Sequence, residues 1–242
     1  QALTDLDTDP TNFNSTLSDT SLAAANLNSL DGNTTGTINA ASVTTLTGTA
    51  ADVNTTYDSE EISNLGDEAV TLSDTTLAAA TANLIDAATS GAIDATAATT
   101  IAGTAADVIT AIQSTGITTA TDYNVTLSGA ATVAQLTTLD GDTTGAISAA
   151  AITDTFSAIN TLALNSSTTL QNATGPITAN GNFADNSMDM TDVGNLADLV
   201  IDGQGGNDTI IGAQGNDTIT GGTGNDILFG GLGTDTFVIA DI

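Results

Sequence analysis

Three stretches of the chain repeat at one interval. "TLSDTSLAAANLNSLDGNTTGTINAAS" begins at Thr16, "TLSDTTLAAATANLIDAATSGAIDATA" at Thr71 and "TLSGAATVAQLTTLDGDTTGAISAA" at Thr126, fifty-five residues apart each time. Between them lie "TLTGTAADVNTTYDS" from Thr45, "TIAGTAADVITAIQS" from Thr100 and a weaker "TFSAINTLALNSS" from Thr155, so the six starts alternate between a longer and a shorter step. A unit this short cannot bury its apolar face alone, and repeats of this length must stack on one another to form a core.

Each half-repeat reads the same way. A short β-branched stretch such as "SVTTLTG" or "YNVTLSG" predicts a strand. An Ala-rich segment follows. Within Ser128–Leu139 the apolar Val133, Leu136 and Leu139 fall on one helical face, and Leu77, Leu84 and Ile85 do likewise. A Ser, Thr or Asp ahead of each segment can cap it, and "DGNTTG" or "DGDTTG" supplies turn chemistry to end it. The fold class predicted is a repeat solenoid of stacked strand–helix (α/β) coils of 26–29 residues over 16–164. An all-β solenoid throughout is the alternative, because Thr and Val are plentiful, but the Ala runs favour helix. Flexible low complexity is opposed by the fixed register. Residues 1–15, with Pro10, read as an extended N-terminal arm, and residues 165–195, with Pro176, as a polar junction.

Residues 196–242 change period. The segments "GQGGNDTII", "GAQGNDTIT", "GGTGNDILF" and "GGLGTDTFV" start at Gly203, Gly212, Gly221 and Gly230, nine residues apart. Their fourth position is Gly206, Gly215, Gly224 and Gly233; their sixth is Asp208, Asp217, Asp226 and Asp235; their eighth is Ile210, Ile219, Leu228 and Phe237. Six residues suffice for a tight turn whose glycines accept backbone angles closed to other residues, and three for a strand with one side chain inward. Successive strands then fall on opposite sides, and residues two periods apart lie above one another: Asp208 with Asp226, Asp217 with Asp235. Carboxylates one layer apart repel unless a cation sits between them. Turn carbonyls complete an all-oxygen shell, which selects Ca²⁺ over Mg²⁺. Zn²⁺ and copper prefer nitrogen or sulfur ligands that this chain lacks.

This stretch resembles the repeats-in-toxin (RTX, hemolysin-type) calcium-binding family, whose repeat is GGxGxDxUx with U a large apolar residue. The resemblance covers Gly203 to Ile239. It implies a parallel β-roll in which loop carbonyls alternate as ligands. One calcium ion would take the carbonyls of Gln204 and Gly206 with Asp208, and those of Gly221 and Thr223 with Asp226. A second would take Ala213, Gly215 and Asp217 with Gly230, Leu232 and Asp235. The preceding "GNLADLVID" keeps Ile201 inward but has Leu199 where Asp should be, and predicts a strand without an ion. The resemblance further implies type I secretion and a roll that is disordered in low-calcium cytosol and folds outside the cell. Family members carry a further C-terminal secretion segment, whereas "ADI" follows the last repeat here. The chain opens on Gln1, which predicts a processed product or a piece of something longer.

Composition narrows the function. Lys, Arg and His are absent against 29 acidic residues, a net charge of −29. Ordinary salt bridges cannot form, and phosphate-backbone binding lacks its cations, so nucleic acid is excluded as a partner. No apolar run reaches the roughly 20 residues that span a bilayer, so direct membrane insertion is not expected. With Cys 0 there is no disulfide or thiolate metal site. Missing His and Lys remove the usual general bases, and there is no HExxH or GxSxG. "GTAADV" at Gly48 and Gly103 is a repeat signature rather than a phosphate loop, and Asp58, Glu60 and Glu61 read as a solvated turn. The expectation is a non-enzyme: a secreted, calcium-dependent structural protein that associates with copies of itself in a surface layer, filament or matrix. The alternatives are a binding or spacer module of a large RTX adhesin, presenting a Thr-rich face to a cell-surface glycan, and a non-catalytic part of a type I secreted enzyme or toxin.

Overall fold

The computed structural model describes residues 12–159, 177–191 and 198–239. The chain divides into two compact units, residues 1–101 with 110–120, and residues 102–109 with 121–242. Within the predicted arm, residues 1–11 lie outside the described set, as do 165–176 and 192–195 of the predicted junction.

In the first unit, short strands lead into helices and return. β1 (Ser15–Thr16) and β2 (Ser21–Ala23) precede α1 (Ala24–Asp31); β3 (Ile38–Asn39) and β4 (Thr45–Gly48) precede α2 (Ala50–Asp58). β5 (Ile62–Ser63), β6 (Ala69–Leu72) and β7 (Thr76–Ala78) precede α3 (Ala79–Ala88). β8 (Ile93–Asp94) and β10 (Ile117–Thr118) also lie in this unit, while β9 (Thr100–Gly103) and α4 (Ala105–Gln113) are divided between the two units. Pairing is parallel, as helical crossovers require: β1–β3–β5 in one sheet and β2–β4–β6–β8–β10 in another. Registered aliphatics make the core. Leu22, Leu46, Val70, Ile93 and Ile117 stand opposite one another in turn, and the last four are buried. Leu27, Val53, Ala82 and Ile85 are buried on the helices. Fully burying one such large side chain stabilises by about 1.5–3 kcal/mol.

The ladder explains the long period differently from the sequence reading. Rungs recur at one even step, Leu22 to Leu46 to Val70, rather than at alternating longer and shorter ones. Two such rungs fall seven residues short of the repeat, and the missing seven are the step from Val70 to Leu77. β6 pairs with β4 on one side and β8 on the other, and the chain then lays down the extra strand β7 beside β9. Two rungs and one sidestep therefore make a repeat. Leu77 lies in β7 rather than on a helix, and Leu84, expected on the inward face, is 59% exposed. Ala79, Ala82 and Ile85 form the buried stripe instead, because α3 begins two residues after Leu77 and its phase is set from there.

One turn recurs with the repeat. The hydroxyls of Thr34, Thr89 and Thr143 donate to the carbonyls of Phe13 (2.6 Å), Glu68 (2.9 Å) and Tyr123 (2.5 Å). The same hydroxyls accept the N–H of Gly36, Gly91 and Gly145 at 2.9, 3.0 and 3.0 Å. A Cβ on any of these glycines would collide with that same carbonyl group, so the glycine that ends "NTTG", "ATSG" and "DTTG" is required by close approach. Glu68, fully buried, has its carboxylate held by the Gly66 N–H (2.8 and 3.0 Å) and the Tyr57 hydroxyl (3.0 Å).

The second unit holds β11 (Asn124–Leu127), β12 (Ala130–Ala131), α5 (Val133–Asp142), β13 (Ile147–Ser148), β14 (Ala151–Thr155) and α6 (Phe156–Ile159). The sidestep recurs here: Val125 stands opposite Ile147, while β12 supplies the extra strand and pairs with β14. α5 carries a capping box, Thr132 with Gln135, and buries the predicted Val133, Leu136 and Leu139. It runs past "DG" to Asp142.

From Ile177 the described residues contain only strands: β15 (Ile177–Asn182), β16 (Ser187–Asp189), β17 (Leu199–Gln204), β18 (Thr209–Ile211), β19 (Thr218–Thr220), β20 (Ile227–Phe229) and β21 (Thr236–Val238). They alternate between two parallel sheets, β12–β14–β15–β17–β19–β21 and β16–β18–β20. The all-β alternative thus fails for the helical coils and holds only here. β15 and β16 fall inside the span read as a polar junction. The rung shortens step by step along the ladder, from Ile152 opposite Ile177, to Ile177 opposite Leu199, to Ile201 opposite Ile219. No helix among the described residues is long and apolar enough to cross a membrane.

The buried polar groups make the packing testable. Burial above all, with the negative charge and hydrogen bonding of Glu68 and Asp142, raises the phenol pKa values of Tyr57 and Tyr123 far above the ordinary one. A raised folded-state pKa gives stability that is complete below about pH 10 and is lost as pH climbs beyond it. In an alkaline titration the tyrosinate absorbance of these two tyrosines should therefore appear together with loss of circular dichroism; tyrosinate forming near its ordinary pKa in an intact fold would contradict the packing. Thr89→Val, which keeps the shape and removes the donor, should cost roughly 1–3 kcal/mol in a denaturant melt.

Candidate metal centre

The nine-residue turns are built on glycine. Gly206, Gly215, Gly224 and Gly233 have φ of +104°, +130°, +136° and +121°, a region that residues with a Cβ rarely adopt. Strand pairs and the bridges Gly205–Thr223 and Gln214–Leu232 set successive layers two nine-residue repeats apart. Asp208 and Asp226 thus occupy successive layers on one side, and Asp217 and Asp235 on the other.

The carboxylates do two jobs. One oxygen ties layers together: Asp226 Oδ1 accepts the Asp208 N–H (2.9 Å) and Asp235 Oδ1 the Asp217 N–H (3.0 Å). Asp208 Oδ1 accepts the Asn186 N–H (2.8 Å) and Asp217 Oδ1 the Leu199 N–H (2.9 Å). The second oxygen turns toward the first glycine of its own turn. A Cβ on Gly203 would meet Asp208 Oδ2 and, at 2.5 Å, the Gly221 carbonyl; one on Gly212 would meet Asp217 Oδ2 at 2.6 Å and the Gly230 carbonyl. A carboxylate oxygen and a carbonyl oxygen of the next layer therefore converge at each place.

The other expected carbonyls are close by but already engaged in part. Those of Gln204 and Ala213 accept the N–H of Thr223 and Leu232 at 3.1 and 3.0 Å, and those of Thr223 and Leu232 accept from Gly206 and Gly215 at 3.0 and 2.9 Å. Each such oxygen keeps a second lone pair. The Gly206 and Gly215 carbonyls face Gly224 and Gly233, where any Cβ would strike them. Among the described residues no three acidic side chains gather closely enough to hold an ion by themselves, so carbonyls must supply much of any coordination shell.

The donor set fits calcium. Asp208 is 1% exposed and its Oδ2 has no hydrogen-bond partner; a buried carboxylate oxygen with neither N–H nor cation is strongly disfavoured. Residues 202–237 match the family model of the RTX calcium-binding nonapeptide repeat, in four copies. The C-terminal roll belongs to the RTX calcium-binding repeats. Such repeats bind calcium ions, and in this roll Asp208 Oδ2 is the oxygen most in need of one. No curated protein and no solved structure matches the chain.

The RTX turns of this roll are unequal. Asp217 Oδ2 accepts the Ala213 N–H at 2.9 Å. The corresponding Gln204, at φ +70°, sends its N–H to Asp202 Oδ1 instead (2.9 Å), leaving Asp208 Oδ2 alone. Desolvation first, and then the charges of Asp226, Asp185 and Asp202, hold the Asp208 carboxyl above its ordinary pKa against the lowering effect of the Asn186 N–H.

Sequence reasoning missed one layer. Met188 stands opposite Ile210 and Asp189 opposite Ile211, which places Asn186 beneath Asp208 and Gly181 beneath Gly203. Asn in place of Asp hid it, as did a return from Asn186 to Asp208 longer than two nine-residue repeats. The usable signal was Gly181 and Met188, seven apart like Gly203 and Ile210.

Asp208→Asn should have opposite effects with and without metal. Under chelator the variant should melt higher than the parent, by roughly 1–3 kcal/mol of relieved burial; in excess calcium it should melt lower. Asp217→Asn should show the calcium loss with a smaller gain under chelator. The raised Asp208 pKa gives a stability term that is complete below the unfolded value near 3.9 and lost as pH rises through the folded one. The chelated parent should therefore gain on Asp208→Asn as pH falls. Equal behaviour of the two variants under chelator would refute the inequality.

Proposed function

We propose that this is a secreted, calcium-dependent structural protein that associates with copies of itself outside the cell in a surface layer, filament or matrix, after type I export. It works without catalysis. Calcium orders the roll and screens acidic neighbours enough for them to pack, since ion binding to folded turns only is free energy of folding.

The observation that carries this reading is the last described layer of the roll. β20 and β21 each pair on one side only among the described residues, and Ile227, Phe229, Phe237 and Val238 on them are exposed. Strand edges with apolar side chains are templates for pairing with another chain. The absence of Lys, Arg, His and Cys supports a material role over chemistry. A glycan- or ice-binding Thr face has weaker support: Ala23, Thr47, Thr71, Asp94 and Thr118 line one outward row of the first unit, and Ala and Asp interrupt it.

Electron microscopy and light scattering with calcium and with excess chelator test the proposal. Filaments or sheets in calcium that disperse on chelation are expected. Monodisperse particles in both conditions would overturn self-assembly and favour a binding or spacer module.

A further inference from the structure

The layer missed by the sequence reading repeats the geometry of the calcium turns. The Asn186 N–H meets Asp208 Oδ1 at 2.8 Å, as the Asp208 N–H meets Asp226 Oδ1 at 2.9 Å. Asn186 Oδ1 accepts the Asn182 N–H at 2.9 Å, as Asp217 Oδ2 accepts that of Ala213. A Cβ on Gly181 would meet Asn186 Oδ1 at 2.5 Å and the Gly203 carbonyl at 2.6 Å, just as one on Gly203 meets Asp208 Oδ2 and the Gly221 carbonyl. Asp185 Oδ1 accepts the Asn207 N–H at 2.7 Å, the place taken one layer on by Asn207 Oδ1 with the Asn225 N–H. The same turn borders a cavity of about 320 Å³ lined by Asn180, Gly181, Asn182, Asp185, Asn186 and Ser187, a set rich in oxygen donors.

We propose that the turn Gly181–Asn186 and the layer Gly203–Asp208 above it form a further calcium site, outside the four matched repeats. It rests on the reading that the matched turns bind calcium. Asn186 Oδ1 and the Gly203 carbonyl are its converging oxygens. Charge comes from Asp185 and Asp208 on either side, because Asn186 is neutral. Calcium affinity in oxygen sites follows the number of charged ligands, so this site is the weakest and fills last. Asp208 is shared between the layer below and the layer above, which couples this site to the Asp208–Asp226 site.

Calcium titration calorimetry on the full chain tests it, with the metal alone as probe. The parent should bind one ion more than the Asp208–Asp226 and Asp217–Asp235 pairs account for, with the extra ion at least roughly tenfold weaker. Asn186→Asp should tighten that weak step roughly tenfold with no change in stoichiometry. Asn186→Ala should lose one ion and keep the rest. Should the Ala variant fail to fold, Asp185→Asn weakening only the weak step serves in its place. A parent that binds only the ions of the matched pairs, unmoved by Asn186→Asp, would overturn this site and leave the repeat-based reading intact. A parent that binds no calcium would overturn that reading itself.

Discussion

A carboxylate in this chain never meets a cationic side chain, because there is none. Every acidic group must find water, an N–H or O–H donor, or a metal ion, and the fold is organised around that shortage. Asp74 Oδ2 accepts the N–H of Ala50 at the start of α2 (2.7 Å), and Asp154 Oδ2 that of Val133 at the start of α5 (3.0 Å). Both satisfy orphan donors and meet the positive end of a helix dipole. Ser59 and Ser114 donate to Asp31 and Asp86 at 3.0 and 2.8 Å. The hydroxyl and N–H of Thr96 and Thr191 hold the carboxyls of Asp94 and Asp189 below the ordinary range. At Asp208 a deeply buried carboxylate oxygen lacks such a donor, and that is where the RTX turns offer a cation the rest of its shell.

The two kinds of coil solve one packing problem at two lengths. A coil that returns through a helix carries the chain from Leu22 to Leu46 in one rung. One that returns through a glycine turn and a second short strand needs only the stretch from Ile201 to Ile219. Both place aliphatic side chains in register, so parallel pairing continues through β14, β15 and β17 while the rung contracts. Helical coils carry their own hydrogen bonds and stripe of Ala, Val and Ile. The glycine turns bring carbonyls together with little side-chain packing of their own, and the roll buries Leu199, Ile201, Ile210 and Ile219 along its strands.

Much of this was legible in the residues. The nine-residue period set the side on which Asp208, Asp217, Asp226 and Asp235 lie, because each step of nine is half of a two-sided coil. Val133, Leu136 and Leu139 marked a helix face correctly. Leu84 did not, since no residue pattern reveals that the chain first lays down β7 and starts its helix after it. The same sidestep made the starts look unevenly spaced when the rungs from Leu22 through Val70 are even. The layer of Gly181, Asn186 and Met188 lost its period through a longer return and its signature through one amide, though its place in the ladder is unchanged.

By itself the sequence determined that the chain is repetitive, that no cation balances its acids, and that its tail binds calcium, because those follow from spacing and from residue types present or absent. Tertiary structure alone decided which carboxylate oxygens are satisfied and which are left for metal. That choice turns on whether a single N–H, at Gln204 or at Ala213, points to its own turn or to a neighbouring Asp, and backbone direction is set by stacking rather than by composition.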